Sequence, residues 1–416
     1  LYLNGFSQNV QDIIKRFEFR NQIDKLSEHD ILGLLISKFT DSSVNLSNRP
    51  IYDAKGNLVQ PALDNHTMGT VFEEVIRKFN EETNITDAGR HFTPRDIVEL
   101  ITDLAFVPVK GKIQSTTYRI YDGACGTGGM LTVAEGRMQE MAKEFGKNVS
   151  IHLYGQENSD ETYAIARSDM LVKGEGVQAN NIFFGSSNIK CEDFLRQNPA
   201  QVQLKGATVG MMNPPYSQGT KSDPSQYELS FVEHLLDSLT EGARAAVIVP
   251  QSSMTGKTKD EQTFKENILK HHTLEGVITC NTDTFYGVGT NPVIAIFTAH
   301  EPHPEDKVCK FIDFRDDGYE VRAHIGLVEG DSAKDKRQHL LDVWFGRTEA
   351  ASKFCVESTV KAEDEWLHSF FYFNDEIPAD ADFEKAIGDY LTFEFSMIMQ
   401  NREYLFGQGG EENAEP

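Results

Sequence analysis

Tyr118-Arg-Ile-Tyr-Asp122-Gly-Ala-Cys-Gly-Thr-Gly-Gly129 is the stretch on which the fold turns. An apolar run, Tyr118–Tyr121, stops at Asp122, a glycine-dense turn follows, and the helical run Met130–Phe145 begins directly after it. Glycines in a strand-to-helix turn let the backbone approach a ligand closely at the carboxyl edge of a sheet, where α/β folds bind nucleotides. No Lys-Ser/Thr follows them, so the turn is not a phosphate-cradling P-loop. Taken alone, the same residues would also serve as a plain tight turn.

Outward from this point, apolar runs at Ile151–Tyr154, Ile189–Cys191, Thr208–Met212, Ala245–Val249, Gly276–Thr279 and Val293–Phe297 alternate with helical stretches. That alternation predicts a mostly parallel, Rossmann-like α/β sheet with flanking helical regions. Three parts follow: an N-terminal helical region over 1–88, the sheet domain over 89–330, and an acidic, mainly helical region over 331–416. In the first, Val10, Ile13, Ile14 and Phe17 share a helical face, as do Ile31, Leu34, Leu35 and Phe39, a polar loop fills 41–66, and Met68–Phe79 reads as an amphipathic helix. In the last, helices are expected around Lys336–Phe345 and Asp382–Asn401, with Gly407–Pro416 fraying. The chain opens on Leu1, not Met, which points to residues upstream, and it has no signal-peptide apolar core.

The ends of the later strands carry chemistry. Ile151–Tyr154 leads into Glu157, an acid suited to two ribose hydroxyls. It lies 35 residues after Asp122, against the ~20 of a nicotinamide fingerprint, which favours another adenosine ligand. Ile189–Cys191 leads into Asp193, which suits an adenine amino group, or equally an N-cap.

Thr208–Met212 ends in Asn213-Pro214-Pro215-Tyr216. Two prolines cannot extend the ladder, so carbonyls there are left for other partners. The Asn213 side-chain oxygen and a neighbouring carbonyl can accept both hydrogens of one exocyclic amine. That favours pyramidal nitrogen and stabilises the charge it gains on attacking an electrophile. Tyr216 would stack on the ring bearing the amine, as enzymes do with an extruded base. In isolation the tetrapeptide reads as a strand-capping turn just as well; its place beside an adenosine site favours the chemical reading.

The 416 residues carry 40 Lys+Arg against 64 Asp+Glu, a formal charge of −24 that argues against wrapping a polyanion unaided. Residues 357–416 hold fifteen acids and three bases, half of that charge, away from Asp122 and Asn213. Affinity for any polyanion is therefore expected to come from a more basic partner. Five cysteines without a CxxC pair indicate a reducing compartment and no structural zinc. No run approaches the ~20 apolar residues of a membrane span. His271-His272 reads as a solvated helix end, Cys125 as a small packing residue, Trp344 and Trp366 as core or interface.

These motifs resemble the amino-methyltransferases that use S-adenosylmethionine, and among them the modification subunits of type I restriction–modification systems. The resemblance runs over nearly the whole chain. It is carried by His91-Phe-Thr-Pro-Arg95, the Gly-rich turn and Asn213–Tyr216, with Met68–Glu74 and Asp317-Gly-Tyr319 to Gly326-Leu327 as structural signatures. It implies that Phe92, Thr93, Pro94, Asp122, Cys125, Gly126, Thr127, Gly128 and Gly129 hold the methionine part of S-adenosylmethionine. Glu157 would take the ribose, Asp193 the adenine, and Asn213, Pro214, Pro215 and Tyr216 the target base, with Phe285 and Tyr286 packing beside it. Gly123 departs from the family's usual Pro, and the N-terminal helical region is shorter. Asn rather than Ser at the first motif position favours adenine N6 over cytosine N4. The implied partners are duplex DNA, a specificity subunit, a restriction (nuclease/translocase) subunit and a second copy of the chain, in a prokaryotic cytoplasm. Two rivals remain open at this level: a methyltransferase for a protein glutamine amide, and a non-catalytic scaffold of a DNA-binding complex.

Overall fold

The computed structural model describes residues 2–41, 43–63, 68, 71–72, 75, 93–110, 113, 117–174, 176–185, 207–285, 289–322, 326–374 and 379–399. Phe92, Asp193, Tyr286, the predicted strand Ile189–Cys191, most of the predicted helix Met68–Phe79 and the tail 407–416 lie outside them.

Three helices open the chain, α1 (Gln8–Arg16), α2 (Phe19–Glu28) and α3 (Leu32–Phe39), followed by a hairpin of β1 (Ile51–Tyr52) and β2 (Leu58–Gln60) inside the stretch read as loop. The apolar face of α3 is exposed at Leu34, Leu35, Ile36 and Phe39, whereas α1 buries Ile13. Next come α4 (Arg95–Lys110), β3 (Thr117–Asp122), α5 (Gly129–Glu144), β4 (Ser150–Glu157), α6 (Asp160–Val172), the short α7 (Gly176–Ala179), β5 (Ile182–Phe184) and β6 (Ala207–Met212). Then follow α8 (Glu228–Asp237), β7 (Leu239–Pro250), α9 (Gln251–Thr255), α10 (Lys259–His271), β8 (Thr273–Thr279), β9 (Pro292–Thr298) and β10 (Cys309–Asp313). A hairpin of β11 (Tyr319–Arg322) and β12 (Gly326–Glu329), then α11 (Ala333–Trp344), β13 (Cys355–Ser358) and α12 (His368–Phe371) complete the compact unit, which runs to Tyr372. A separate unit beginning at Phe373 contains α13 (Asp380–Met399).

Among the described residues nine strands form one sheet in the order β13-β10-β8-β9-β7-β6-β3-β4-β5. Its strands are parallel except β9, antiparallel to both neighbours, and the edge strand β13. β5, which pairs with β4 on the far side from β3, spans Ile182–Phe184; the predicted strand Ile189–Cys191 and Asp193 lie outside the described residues. Three strands of this sheet were not anticipated, β5, β10 and β13. The last of these lies beyond residue 330 yet pairs with β10, so the sheet continues past the expected boundary. Both faces of the sheet are covered: in β7, Ala246 and Ile248 bury on one side, Ala245, Val247 and Val249 on the other. That explains why the strands read as unbroken apolar runs.

The connections from β3 leave towards β4 on one side, while β6 flanks it on the other. This reversal opens a crevice at the carboxyl ends of β3 and β6, the standard ligand position in open α/β sheets. α4 packs across β6 and β7 through Ile97, Val98, Ile101, Leu104 and Phe106. Its orientation is held by Asp103, which accepts from Arg137 Nε at 2.6 Å and Arg337 Nη2 at 2.9 Å. Among the described residues no helix is long and apolar enough to cross a membrane.

Candidate active site

The turn after β3 is built on three backbone requirements. Gly126 and Gly128 have φ of 54° and 87°, in the left-handed region, and Gly128 caps α5. The adjacent strand must come close: a Cβ on Gly155 of β4 would lie 2.8 Å from Cys125 Sγ and 2.8 Å from Ile182 Cδ1. Cys125 N–H donates to Gln156 O at 2.9 Å, and Gly128 N–H to Cys125 O at 2.8 Å. The Cys125 thiol is buried and held well above its ordinary pKa by that burial, so it packs and does not react. Thr127 is half-buried, and Gly129 begins α5.

Two carboxylates flank this turn. Asp122 is buried, accepts from Ala124 N–H at 3.0 Å, and has its pKa pushed up to about 7. Burial is the main cause, opposed by the Ala124 hydrogen bond and reinforced by the charge of Glu157. Glu157, at the end of β4, accepts from Gly126 N–H at 3.0 Å through Oε2 and from Ser159 N–H at 2.7 Å through Oε1. It therefore ties the Gly-rich turn to the start of α6.

Asn213–Tyr216 leaves β6 in the neighbouring crevice wall. Asn213 Nδ2 donates to Thr93 Oγ1 at 2.9 Å, joining two motifs 120 residues apart. Because the amide nitrogen faces Thr93, the carboxamide oxygen is turned the other way. Pro214 is buried and Pro215 half-buried. Tyr216 differs from the open platform expected: its ring is 6% exposed, its hydroxyl donates to Ile248 O at 3.4 Å, and Phe285 packs on it edge-on, ring centres 5.9 Å apart. The turn folds this ring back over the sheet, where the apolar ends of β7 and the Phe285 loop cover it. Burial holds the phenol well above its ordinary pKa.

The structure thus unites Asp122, Cys125–Gly129 and Glu157 in one cluster and Thr93, Asn213, Tyr216 and Phe285 in another, on adjacent strands. Sequence reasoning missed several supporting side chains. Glu228 receives Ser217 N–H at 2.7 Å; an acid opening a helix carries no signal in sequence that distinguishes it from a helix-dipole residue. Asp317, in a stretch read only as a structural signature, accepts from Asn281 Nδ2 and Tyr319 N–H, both at 2.9 Å, holding the loop that carries Phe285. His234, beneath the sheet, lies 3.4 Å from Tyr121 Oη, which donates to Gln156 at 3.1 Å. His272 is buried, not solvated: its Nδ1 accepts from His300 N–H at 3.0 Å. Trp366 is core, and no metal-holding cluster exists among the described residues.

A doubly wound sheet with a glycine turn, two strand-end acids and an Asn-Pro-Pro-Tyr turn at its switch point defines the class of methyltransferase-type α/β folds. Residues 63–375 match the N-6 DNA Methylase family, and the chain belongs to it. It is 39% identical over 351 residues to the type II restriction enzyme and methyltransferase RM.BcgI of Heyndrickxia coagulans, covering 83% of this chain and 52% of that protein. It is 24% identical over 300 residues to the type I restriction enzyme HindI methylase subunit of Haemophilus influenzae, covering 71% and 63%. The chain thus spans only about half to two thirds of these relatives' lengths. Among solved structures, a type I restriction-modification methyltransferase subunit from Streptococcus thermophilus aligns with TM-score 0.54 and 20% identity, over 70% of this chain and 60% of that one. The EcoKI M protein aligns with TM-score 0.53 and 15% identity, over 97% and 99%. At these identities the structures establish the fold alone.

Proposed function

We propose that this chain transfers a methyl group from S-adenosylmethionine to the N6 amine of adenine in duplex DNA, after extrusion of the base, as the modification part of a restriction–modification system. The observation that carries the reading is the hydrogen bond from Asn213 Nδ2 to Thr93 Oγ1, at the carboxyl end of β6 and one strand from Asp122. The bond turns the carboxamide oxygen away from Thr93, which supports its use as a preorganised acceptor for the amine hydrogens.

The cofactor site fits its ligand on two grounds. A buried carboxyl with a pKa near 7 suits a cationic partner, and the turn lacks side-chain bulk where a ligand would approach. Asp122 and the backbone of Cys125–Gly129 would face the methionine part, and the lone pairs Glu157 keeps beyond its two amide contacts suit ribose hydroxyls. Phe92, Pro94 and Asp193 are proposed to line the same ligand. S-adenosylmethionine supplies an electrophilic methyl group when bound. Asn213, with the carbonyl of Pro214, accepts the amine hydrogens and stabilises the charge on nitrogen. Tyr216 offers the stacking ring, with Phe285 yielding to admit the base and Tyr286 beside it.

The partners proposed are a specificity subunit, a restriction subunit and a second copy of the chain, in a prokaryotic cytoplasm. Similarity to RM.BcgI favours a second arrangement, in which nuclease and methyltransferase share one polypeptide. Labelled methyl transfer to unmethylated duplex DNA, with and without the specificity protein of the same system, tests the reading. Asn213→Ala is expected to reduce transfer at least ~100-fold with cofactor binding retained. Transfer at the normal rate by that variant would defeat it.

A further inference from the structure

Immediately after Tyr216 the chain turns back at Ser217, whose φ is 57°, a left-handed conformation costly for a residue with a Cβ. The amide of Ser217 is received by Glu228 Oε1 at 2.7 Å. Glu228 opens α8, is 6% exposed, and through Oε2 accepts from the buried Ser253 hydroxyl of α9 at 3.3 Å. One buried carboxylate thus binds the exit of the Asn213–Tyr216 turn to the helix after it and to the helix after β7. Gly219 completes the packing: a Cβ there would fall 2.4 Å from the ring of Tyr227, so no side chain separates this loop from the start of α8. An acid serving only the helix dipole would need neither burial nor an amide from another segment.

We infer that Glu228 is a positioning residue that holds the Asn213–Tyr216 turn in its working geometry by clamping Ser217. The inference rests on reading that turn as the methyl-acceptor site. Without the carboxylate, Ser217 relaxes out of the left-handed region, and the rotation is passed through Tyr216 and the rigid Pro214-Pro215 unit to the Asn213 carboxamide.

Glu228→Gln keeps an oxygen for Ser217 and offers an amide donor to Ser253, whereas Glu228→Ala removes both. Amide hydrogen exchange over Tyr216–Gly219 in the isolated chain is expected to quicken ~10-fold or more in E228A, and to stay within ~3-fold of the parent in E228Q. In methyl transfer to unmethylated duplex DNA, kcat is expected to fall ~10-fold or more in E228A, with KM for S-adenosylmethionine changed less than ~3-fold, and to recover in E228Q. Ser217→Gly, at ease in the left-handed region, is expected to offset part of the E228A loss, which keeps the test open if E228A alone folds poorly. Equal exchange in all variants overturns the clamp. Faster exchange with unchanged kcat, or a kcat loss that E228Q does not restore, overturns the positioning role. If the parent chain transfers no methyl group in its native assembly, the reading of the site fails, and the exchange comparison still decides the clamp.

Discussion

Replacing Thr93 by Val tests the site more sharply than removing Asn213, because it is nearly isosteric and leaves the reacting groups in place. It deletes the oxygen that accepts from Asn213 Nδ2 at 2.9 Å. The terminal torsion of an asparagine is broad and roughly two-fold, so without this bond the amide samples the orientation that points nitrogen at the substrate amine. A half-buried donor left without its acceptor costs about 1–3 kcal/mol, equivalent to ~5- to ~150-fold. That penalty falls on the transition state, where the oxygen must face the amine. The expected result is a kcat lowered ~10- to ~100-fold, with the dissociation constant for S-adenosylmethionine moved less than ~3-fold and Thr93→Ser restoring most of the rate. The resemblance assigns Thr93 to the methionine part of the cofactor, and the two assignments part at this point. Single-turnover transfer and calorimetric cofactor titration on the same preparation measure both quantities. A large loss of cofactor affinity with an unchanged single-turnover rate would refute the orienting role.

Asp122 gives a pH prediction: with a pKa pushed up to about 7 by burial, it ionises more readily beside a cationic ligand, so affinity for S-adenosylmethionine should rise with pH through about 7. Asp122→Asn should flatten that profile in calorimetric titrations at several pH values. His234 works in the other direction for stability, since burial lowers its pKa from 6.5 to about 4. The unfolded chain binds the proton first, so stability is full above pH 6.5 and falls by up to ~3 kcal/mol as pH drops towards 4, a loss that His234→Gln should reduce in acid melting curves. Gly155→Ala places a methyl 2.8 Å from Cys125 Sγ, an overpacking of about 1–3 kcal/mol. It should lower the melting temperature and weaken cofactor binding, and Cys125→Ala should recover part of both.

Most of the framework could be read from the chain alone. Tyr118–Tyr121, Ile151–Tyr154, Thr208–Met212, Ala245–Val249, Gly276–Thr279 and Val293–Phe297 all fall within observed strands, because a sheet covered on both faces makes most of its residues apolar, Arg119 and His152 being exceptions. Ile182–Phe184, which pairs beside Glu157, was not anticipated: at three residues it is too short for its apolar signal to stand out from the turns around it, and the predicted strand Ile189–Cys191 lies outside the described residues. β10 and the edge strand β13 escaped notice for a similar reason, since Lys310 and Glu357 interrupt their short apolar runs.

The site divides along the same line. Glycines at 126 and 128, an acid closing each of β3 and β4, and Asn-Pro-Pro-Tyr closing β6 are local features, each forced by backbone geometry or ligand chemistry within a few residues, and the sequence by itself determined them. Which way the Asn213 amide faces, that Tyr216 is covered and not open, and that Glu228 grips Ser217 were decided only by the tertiary structure. Those depend on contacts between segments brought together by the sheet, Thr93 with Asn213 above all, and a hydrogen bond between residues 120 apart leaves no periodicity or composition in the chain from which to read it.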